Sequence, residues 1–197
     1  MKSNGKYKFN RFRKELSQES FSDFFEYYFS RLIQFANTIV HSDLIAEEVV
    51  LDVFMKLWEK NLSGTIDNIE TYLFIAVRNT AINTLKKEQK FHFDMLDDSD
   101  MQLVDYAPGA ESSLIENEMF QALNQAVAGL PAKCKVIFKL IREDGLTRSE
   151  VAQILNISVK TVDNQIAIAV NKIAEKLHID LSEPRNTKGL MTLLLTL

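Results

Sequence analysis

The sequence predicts an all-α protein: two small helical domains joined by an acidic linker, the second built on a helix-turn-helix. Three observations lead there. Glycine and proline are scarce, 6 and 3 in 197 residues, while helix-favouring Leu, Ile, Ala, Glu and Lys abound. Apolar residues recur at three- and four-residue steps over long stretches. Residues 91–120 carry 8 carboxylates and no cation, although the stretches on either side are near neutral or basic.

Length and composition narrow the class further. A chain of 197 residues suits one large domain or two small ones, and an apolar fraction of 46% is enough for packed cores. The single cysteine, Cys134, excludes an internal disulfide. With only His41, His92 and His178 beside it, no zinc-ligand spacing arises, so no metal and no cofactor is expected. The N-terminus is polar and basic without an apolar signal core, and the apolar run at 190–197 is too short to span a bilayer. A cytoplasmic protein without membrane insertion is expected. There is no phosphate-binding glycine loop and no Cys–His pairing, so neither an enzyme nor a small-molecule substrate is expected.

The net charge of −4 is unlike that of a simple DNA binder, which is usually basic. Its distribution is more informative. Residues 1–90 carry 13 cations and 12 carboxylates, and residues 121–197 carry 10 and 7. The acidic segment therefore separates two parts of different character.

The elements follow in order. Residues 1–19 are polar and read as a loose N-terminal arm. Phe21, Phe24, Phe25, Tyr28, Leu32, Phe35, Ala36 and Ile39 mark a first helix. A second, capped by Ser42 or Asp43, runs to about Lys60. "NLSGTIDNIE" breaks the pattern as a loop. A third long helix runs from about Asn68 to Lys90, completing a domain over residues 20–90. Residues 91–113, acidic with a Pro-Gly and serines, form the linker. Helices resume near Ser113 for a second domain over residues 114–181. Gly129 ends the first of them, Pro131 opens the next, and Gly145 ends that one with a left-handed cap. Two short helices follow, about Thr147–Leu155 and Ser158–Leu177. Residues 182–197 form a tail without an assigned role.

"TRSEVAQILNISVKTVDNQIAIAVNKI" has the marks of a helix-turn-helix. Ala152 supplies the small residue where two helices cross. Asn156, four positions on, tolerates the positive φ of the turn. Val162 faces inward six further on, Val151, Leu155, Ile157 and Ile166 complete a small core, and Ser158 can cap the second helix. That helix would enter the major groove. Its outward candidates are Val159, Lys160, Thr161, Asn164 and Gln165. Asn and Gln can pair bidentately with adenine, and Lys can reach guanine or phosphate. Arg148 is placed for a phosphate contact. Asp163 would be repelled by phosphate and is expected to cap or orient a neighbour.

The first domain carries two contrasting faces. On its third helix Asn79, Asn83, Lys86 and Lys87, with Arg78 beside them, form a polar stripe without acids, opposite Leu73, Ala76, Val77, Ala81 and Leu85. Such a stripe suits nucleic acid. On the second helix Glu47, Glu48 and Asp52 lie among Val49, Val50, Val53, Phe54, Leu57 and Trp58. Acids beside apolar groups repel DNA and suit a protein partner with basic side chains.

"AEEVVLDVFMKLWEK", "IETYLFIAVRNTAINTLKK" and "LPAKCKVIFKLIREDGLTRSEVAQILNISVKTVDNQI", in that order, resemble the extracytoplasmic-function (ECF) sigma factors of bacterial RNA polymerase over about residues 20–180. The resemblance implies that residues 20–90 are sigma region 2 and residues 114–181 sigma region 4. It implies that the helix with Glu48, Asp52, Phe54 and Trp58 binds core RNA polymerase. Arg78, Asn79, Asn83, Lys86 and Lys87, with the loop at Asn61–Glu70, would engage the −10 promoter element and capture an unstacked base. The helix-turn-helix residues would read the −35 element as duplex. The acidic linker would thread the polymerase's basic channel, and an anti-sigma factor would control the protein. The sequence departs from the family at Arg148–Ser149, where an aromatic-basic pair is frequent, and at Ile168, where a basic residue is common. The competing reading is a helix-turn-helix regulator that binds operator DNA directly, against which the near-neutral first domain and acidic linker count.

Overall fold

The computed structural model describes residues 2–59, 66–92, 118–180 and 182–183. Among them the chain forms helices and no strand, in two compact units. The N-terminal unit holds α1 (Lys2–Glu15), α2 (Gln18–Val40), α3 (Asp43–Glu59) and α4 (Ile69–His92). The C-terminal unit is built from α5 (Glu118–Ala128), α6 (Ala132–Arg142), the first residues of α7 (Arg148–Leu155) and α8 (Val159–Lys176).

The first helix corrects the expectation of a loose arm over residues 1–19. Gly5, Phe9 and Phe12 fall at four- and three-residue steps and are all buried. Phe12 stacks on Phe24 with ring centroids 5.7 Å apart, and Phe9 meets the same ring at 5.6 Å. Two phenylalanines in a run of cations made too thin a stripe to register as amphipathic, yet they suffice once α2 offers a surface for them. At Gly5 the two helices pack too closely for a side chain. A Cβ there would collide with the Tyr28 hydroxyl and lie 2.6 Å from Tyr27 Cε1. Arg11 ties the corner between the helices, donating to Asp23 at 2.7 Å, to Glu15 at 3.1 Å and to Glu19 at 3.4 Å.

The α1–α2 turn places Leu16 at φ 48°, and Ser17 then caps α2 by accepting from the Ser20 N–H at 3.2 Å. The far end of α2 closes with His41 in the left-handed region, its N–H donating to the Asn37 carbonyl at 3.1 Å. Asn37 Nδ2 also donates to Asp43, which opens α3. Ser42 accepts from the Ile45 N–H, as expected of a cap. Asn68 caps α4 by accepting from the Thr71 N–H at 3.2 Å.

Helix α2 touches all three others of its unit. Its buried stripe of Phe24, Tyr28, Leu32, Phe35 and Ile39 meets Val50, Val53, Phe54 and Leu57 of α3, and Leu73, Phe74 and Val77 of α4, in one core. Tyr28 donates from its hydroxyl to Glu70 Oε1 at 3.2 Å, both side chains being buried. Burial, then the Glu70 carboxylate, raises the Tyr28 hydroxyl far above the ordinary phenol range. The shift favours the neutral hydroxyl, the form that donates to Glu70.

In the C-terminal unit Leu123, Ala126, Leu130, Cys134 and Phe138 pack with Ala169, Val170, Ile173 and Ala174 of α8. Gly145 sits at φ 64°, and the Leu146 N–H returns to the Leu140 carbonyl at 3.0 Å. Thr147 and Glu150 form a capping box at the start of α7: the Thr147 N–H donates to Glu150 Oε2 at 2.6 Å, and the Glu150 N–H donates to Thr147 Oγ1 at 3.3 Å. Beyond α8 His178 takes a left-handed φ of 55°, which turns Ile179 back so that its N–H reaches the Ala174 carbonyl at 2.9 Å. Most of the expected linker (residues 91–113), residues 113–117 where helices were expected to resume, and the tail beyond Glu183 lie outside the described residues.

Two outcomes are expected in thermal unfolding. Gly5→Ala should destabilise the N-terminal unit by about 1–3 kcal/mol, because overpacking against Tyr28 outweighs the better helix propensity of alanine. Asn156→Gly should leave the melting temperature unchanged or slightly raised, and Asn156→Val should lower stability by about 1–2 kcal/mol, since Asn156 holds φ at 55°.

Candidate functional site

The helix-turn-helix is assembled as its spacing requires. Ala152 is buried, and its carbonyl accepts from the Ile157 N–H at 3.0 Å across the turn. Asn156 supplies the positive φ, and Val151 and Val162 are fully buried. Ser158 caps α8 by accepting from the Thr161 N–H at 3.0 Å. The same hydroxyl lies 2.8 Å from Thr161 Oγ1, which leaves Thr161 half-buried and locally engaged.

The outward set divides. Val159, Lys160 and Asn164 are exposed on the N-terminal half of α8 and face solvent together. Gln165 turns the other way: it is partly buried, and its Oε1 accepts from Cys134 Sγ at 2.8 Å. The reason lies in α6, whose Cys134 sits under this turn of α8. Burial pushes the Cys134 thiol up, which keeps it a neutral donor. Arg148 is exposed but paired, its Nε 3.2 Å from Asp163 Oδ1. Asp163 thus orients a neighbour, and the neighbour is Arg148 itself, the residue expected to meet phosphate.

On α4 the polar stripe stands as spaced. Asn79, Asn83, Lys86 and Lys87 are exposed, while Leu73, Val77 and Ala81 are buried on the other side. Arg78 is half-buried, and its Nη1 reaches Asn79 Oδ1 at 3.4 Å. Of the loop expected at Asn61–Glu70, Asn61–Thr65 lie outside the described residues, Ile66 is buried, and Ile69 and Glu70 already belong to α4.

A groove of about 580 Å³ separates this stripe from α3. Glu48 and Asp52 form one wall, and Asn83, Lys86 and Lys87 the other, with Lys56 paired to Asp52. Of the four residues expected to meet a protein partner, Glu48 and Trp58 are exposed and Asp52 is partly so. Phe54 is only 2% exposed and sits among Phe21, Phe24 and Phe25, so it holds α3 in place rather than contacting anything outside. The apolar groups on the outer face are others: Leu44 (77% exposed), Leu51 (39%) and Met55 (60%), in line with Trp58 (44%). Steps of seven, four and three residues put these four on one stripe, flanked by Glu47, Glu48 and Asp52. Of this stripe sequence reading named Trp58 and missed Leu44, Leu51 and Met55, because apolar residues fall on several sides of α3 and periodicity then does not tell core from surface.

Known proteins resemble both units. The sigma-70 region 2 family matches residues 24–91, and the sigma-70 region 4 family matches residues 120–173. The ferric citrate uptake sigma factor FecI of Escherichia coli is 26% identical over 127 residues, covering 64% of this chain and 72% of its own. The ECF RNA polymerase sigma factor SigW of Bacillus subtilis is 25% identical over 161 residues, covering 78% and 86%. Among solved structures, the sigma factor RpoE from Bartonella quintana, in complex with the anti-sigma factor NepR, aligns at a TM-score of 0.55 with 24% identity, covering 82% of this chain and 99% of that one. CnrH, in complex with the cytosolic domain of CnrY, aligns at 0.50 with 16% identity, covering 90% and 99%. Two helical units matching regions 2 and 4 in order, with sigma-factor relatives spanning both, place this chain in the sigma-70 family as a member of its extracytoplasmic-function group.

Proposed function

We propose that this sigma factor divides its work by unit, with α3 binding core RNA polymerase, α4 holding the −10 element and the helix-turn-helix reading the −35 element. The observation that carries this division is the contrast between exposed faces. On α3, Leu44, Leu51, Met55 and Trp58 stand exposed beside Glu47, Glu48 and Asp52. An apolar stripe rimmed by carboxylates would be repelled by DNA and complements a basic protein surface. On α4 the exposed groups are amides and cations, suited to phosphate and to the edge of an unstacked base. On α8, Lys160 and Asn164 are four residues apart and point outward from the N-terminal half, the part of a recognition helix that meets base edges.

The chain acts as a regulatory subunit and not as an enzyme in its own right. Polymerase supplies most phosphate contacts, so a net charge of −4 is compatible with promoter binding and limits nonspecific DNA binding by the free protein. The base-free segment at 91–120 suits occupation of a channel built for nucleic acid. An anti-sigma factor would act by covering the α3 face or the helix-turn-helix; the similar RpoE is complexed with the anti-sigma factor NepR, and CnrH with the cytosolic domain of CnrY. No described helix is long and apolar enough to cross a membrane, in keeping with action in the cytoplasm beside polymerase.

The first test mixes the protein with bacterial core RNA polymerase for size-exclusion chromatography, then transcribes a random-promoter library. Co-elution with enrichment of paired −35 and −10 sequences is the expected result. Tight duplex binding without co-elution would instead support a directly binding operator regulator. Asp52→Lys, or Leu51→Glu with Met55→Glu, should weaken core binding at least tenfold with the helical circular-dichroism spectrum unchanged. Asn164→Ala or Lys160→Ala should lower holoenzyme affinity for the selected promoter by about 1–3 kcal/mol, the worth of one base contact, while assembly with core is retained.

A further inference from the structure

The outer face of α1 is strongly cationic, and none of the roles above uses it. Residues 2–15 contain six cations and one carboxylate, whereas residues 16–90 contain seven cations and eleven carboxylates. The one carboxylate, Glu15, is engaged by Arg11, which also holds Glu19 and Asp23. The buried stripe Gly5, Phe9 and Phe12 fixes which side of α1 looks outward. On that side Lys6, Tyr7, Asn10, Arg13 and Lys14 are exposed, with no acid among them. Lys6, Asn10 and Arg13 follow steps of four and three, and Tyr7, Asn10 and Lys14 follow steps of three and four, so the two rows meet at Asn10 on one face.

Tyr7 is 66% exposed, a large aromatic ring left in solvent amid cations. Cations alone would suit any polyanion. Cations interleaved with an open aromatic ring suit single-stranded nucleic acid, whose phosphates meet the charges while an unpaired base stacks on the ring. We infer that the outer face of α1 is a contact surface for single-stranded promoter DNA, with Lys6, Arg13 and Lys14 on phosphates and Tyr7 on a base. The inference rests on the sigma-factor reading, since promoter opening is what creates the single strand. From Lys6 to Arg13 the helix rises about 10 Å, roughly the span of three stacked nucleotides of one strand. The close seat of Gly5 against Tyr28 fixes which face of α1 is presented.

The test uses holoenzyme on a promoter selected as above, as duplex and as a template pre-melted around −10, with complex lifetime measured against salt. Lys6→Gln/Arg13→Gln/Lys14→Gln should shorten the lifetime and reduce the slope of log affinity against log salt by about 2, from about 0.7 per single-strand phosphate. Tyr7→Ala should shorten it by about 5- to 100-fold, the equivalent of one lost base stack, with the salt slope unchanged. Both effects should persist on the pre-melted template. Unchanged lifetimes in both variants would overturn the inference. A charge effect without a Tyr7 effect would do so in favour of duplex backbone, and loss of core binding in favour of a protein partner. If the wild-type protein opens no promoter, the sigma reading falls together with this one; if it does and only the variants disagree, this inference alone falls.

Discussion

The N-terminal unit depends on how tightly α2 is held on every side. Its aromatic stripe is the one surface against which α1, α3 and α4 all bury residues. At its centre the Tyr28 ring is enclosed by Phe24 and Tyr27, its hydroxyl spent on the buried Glu70 of α4. A buried carboxylate without a donor is costly, so the register of α4 against α2 is set by this bond as well as by apolar contact. The register of α4 in turn decides that Asn79, Asn83, Lys86 and Lys87 look outward. Gly5 does the same for α1, since it packs against the hydroxyl end of the Tyr28 ring. The faces that meet solvent on α1 and α4 are consequences of how one tyrosine is packed.

Core and surface are harder to separate on α3 than on any other helix of its unit. Phe54 is buried among Phe21, Phe24 and Phe25, while Met55, the next residue, stands in solvent. Trp58 serves both sides: its ring lies 4.8 Å from Phe21 and 5.9 Å from Phe12, yet 44% of it stays exposed. A partner that covers this face would thus press on a ring belonging to the same aromatic cluster that seats α1. The outer face of α3 and the placement of α1 therefore share a residue.

Much of this organisation was legible in the sequence. The helix-turn-helix could be read residue by residue because each of its requirements is local: a small residue at Ala152, a positive φ at Asn156, a cap at Ser158. The polar stripe on α4 was legible for a similar reason, since its acids are absent and its spacing regular. What escaped reading depends on partners distant in sequence. Helix α1 needs α2 to make sense of Phe9 and Phe12. Phe54 and Met55 are adjacent and both apolar, and only the position of α2 tells them apart. Gln165 looks like a base reader by spacing, and only the cysteine 31 residues earlier, on α6, draws its side chain inward.

The Arg148–Asp163 pair bridges the two helices of the DNA-reading motif, 15 residues apart in sequence and 3.2 Å apart in space. A phosphate that approaches Arg148 must compete with a carboxylate already in place, so it replaces one anion with another instead of neutralising a bare cation. The exchange yields little net electrostatic gain on random DNA, where nothing else compensates the displaced Asp163. On a matched site, the base contacts proposed for Lys160 and Asn164 would hold the helix in place while the exchange is completed. If Arg148 meets phosphate as proposed, the pair would act as a small threshold between touching DNA and settling on it, with a single surface carboxylate as a filter on dwell time.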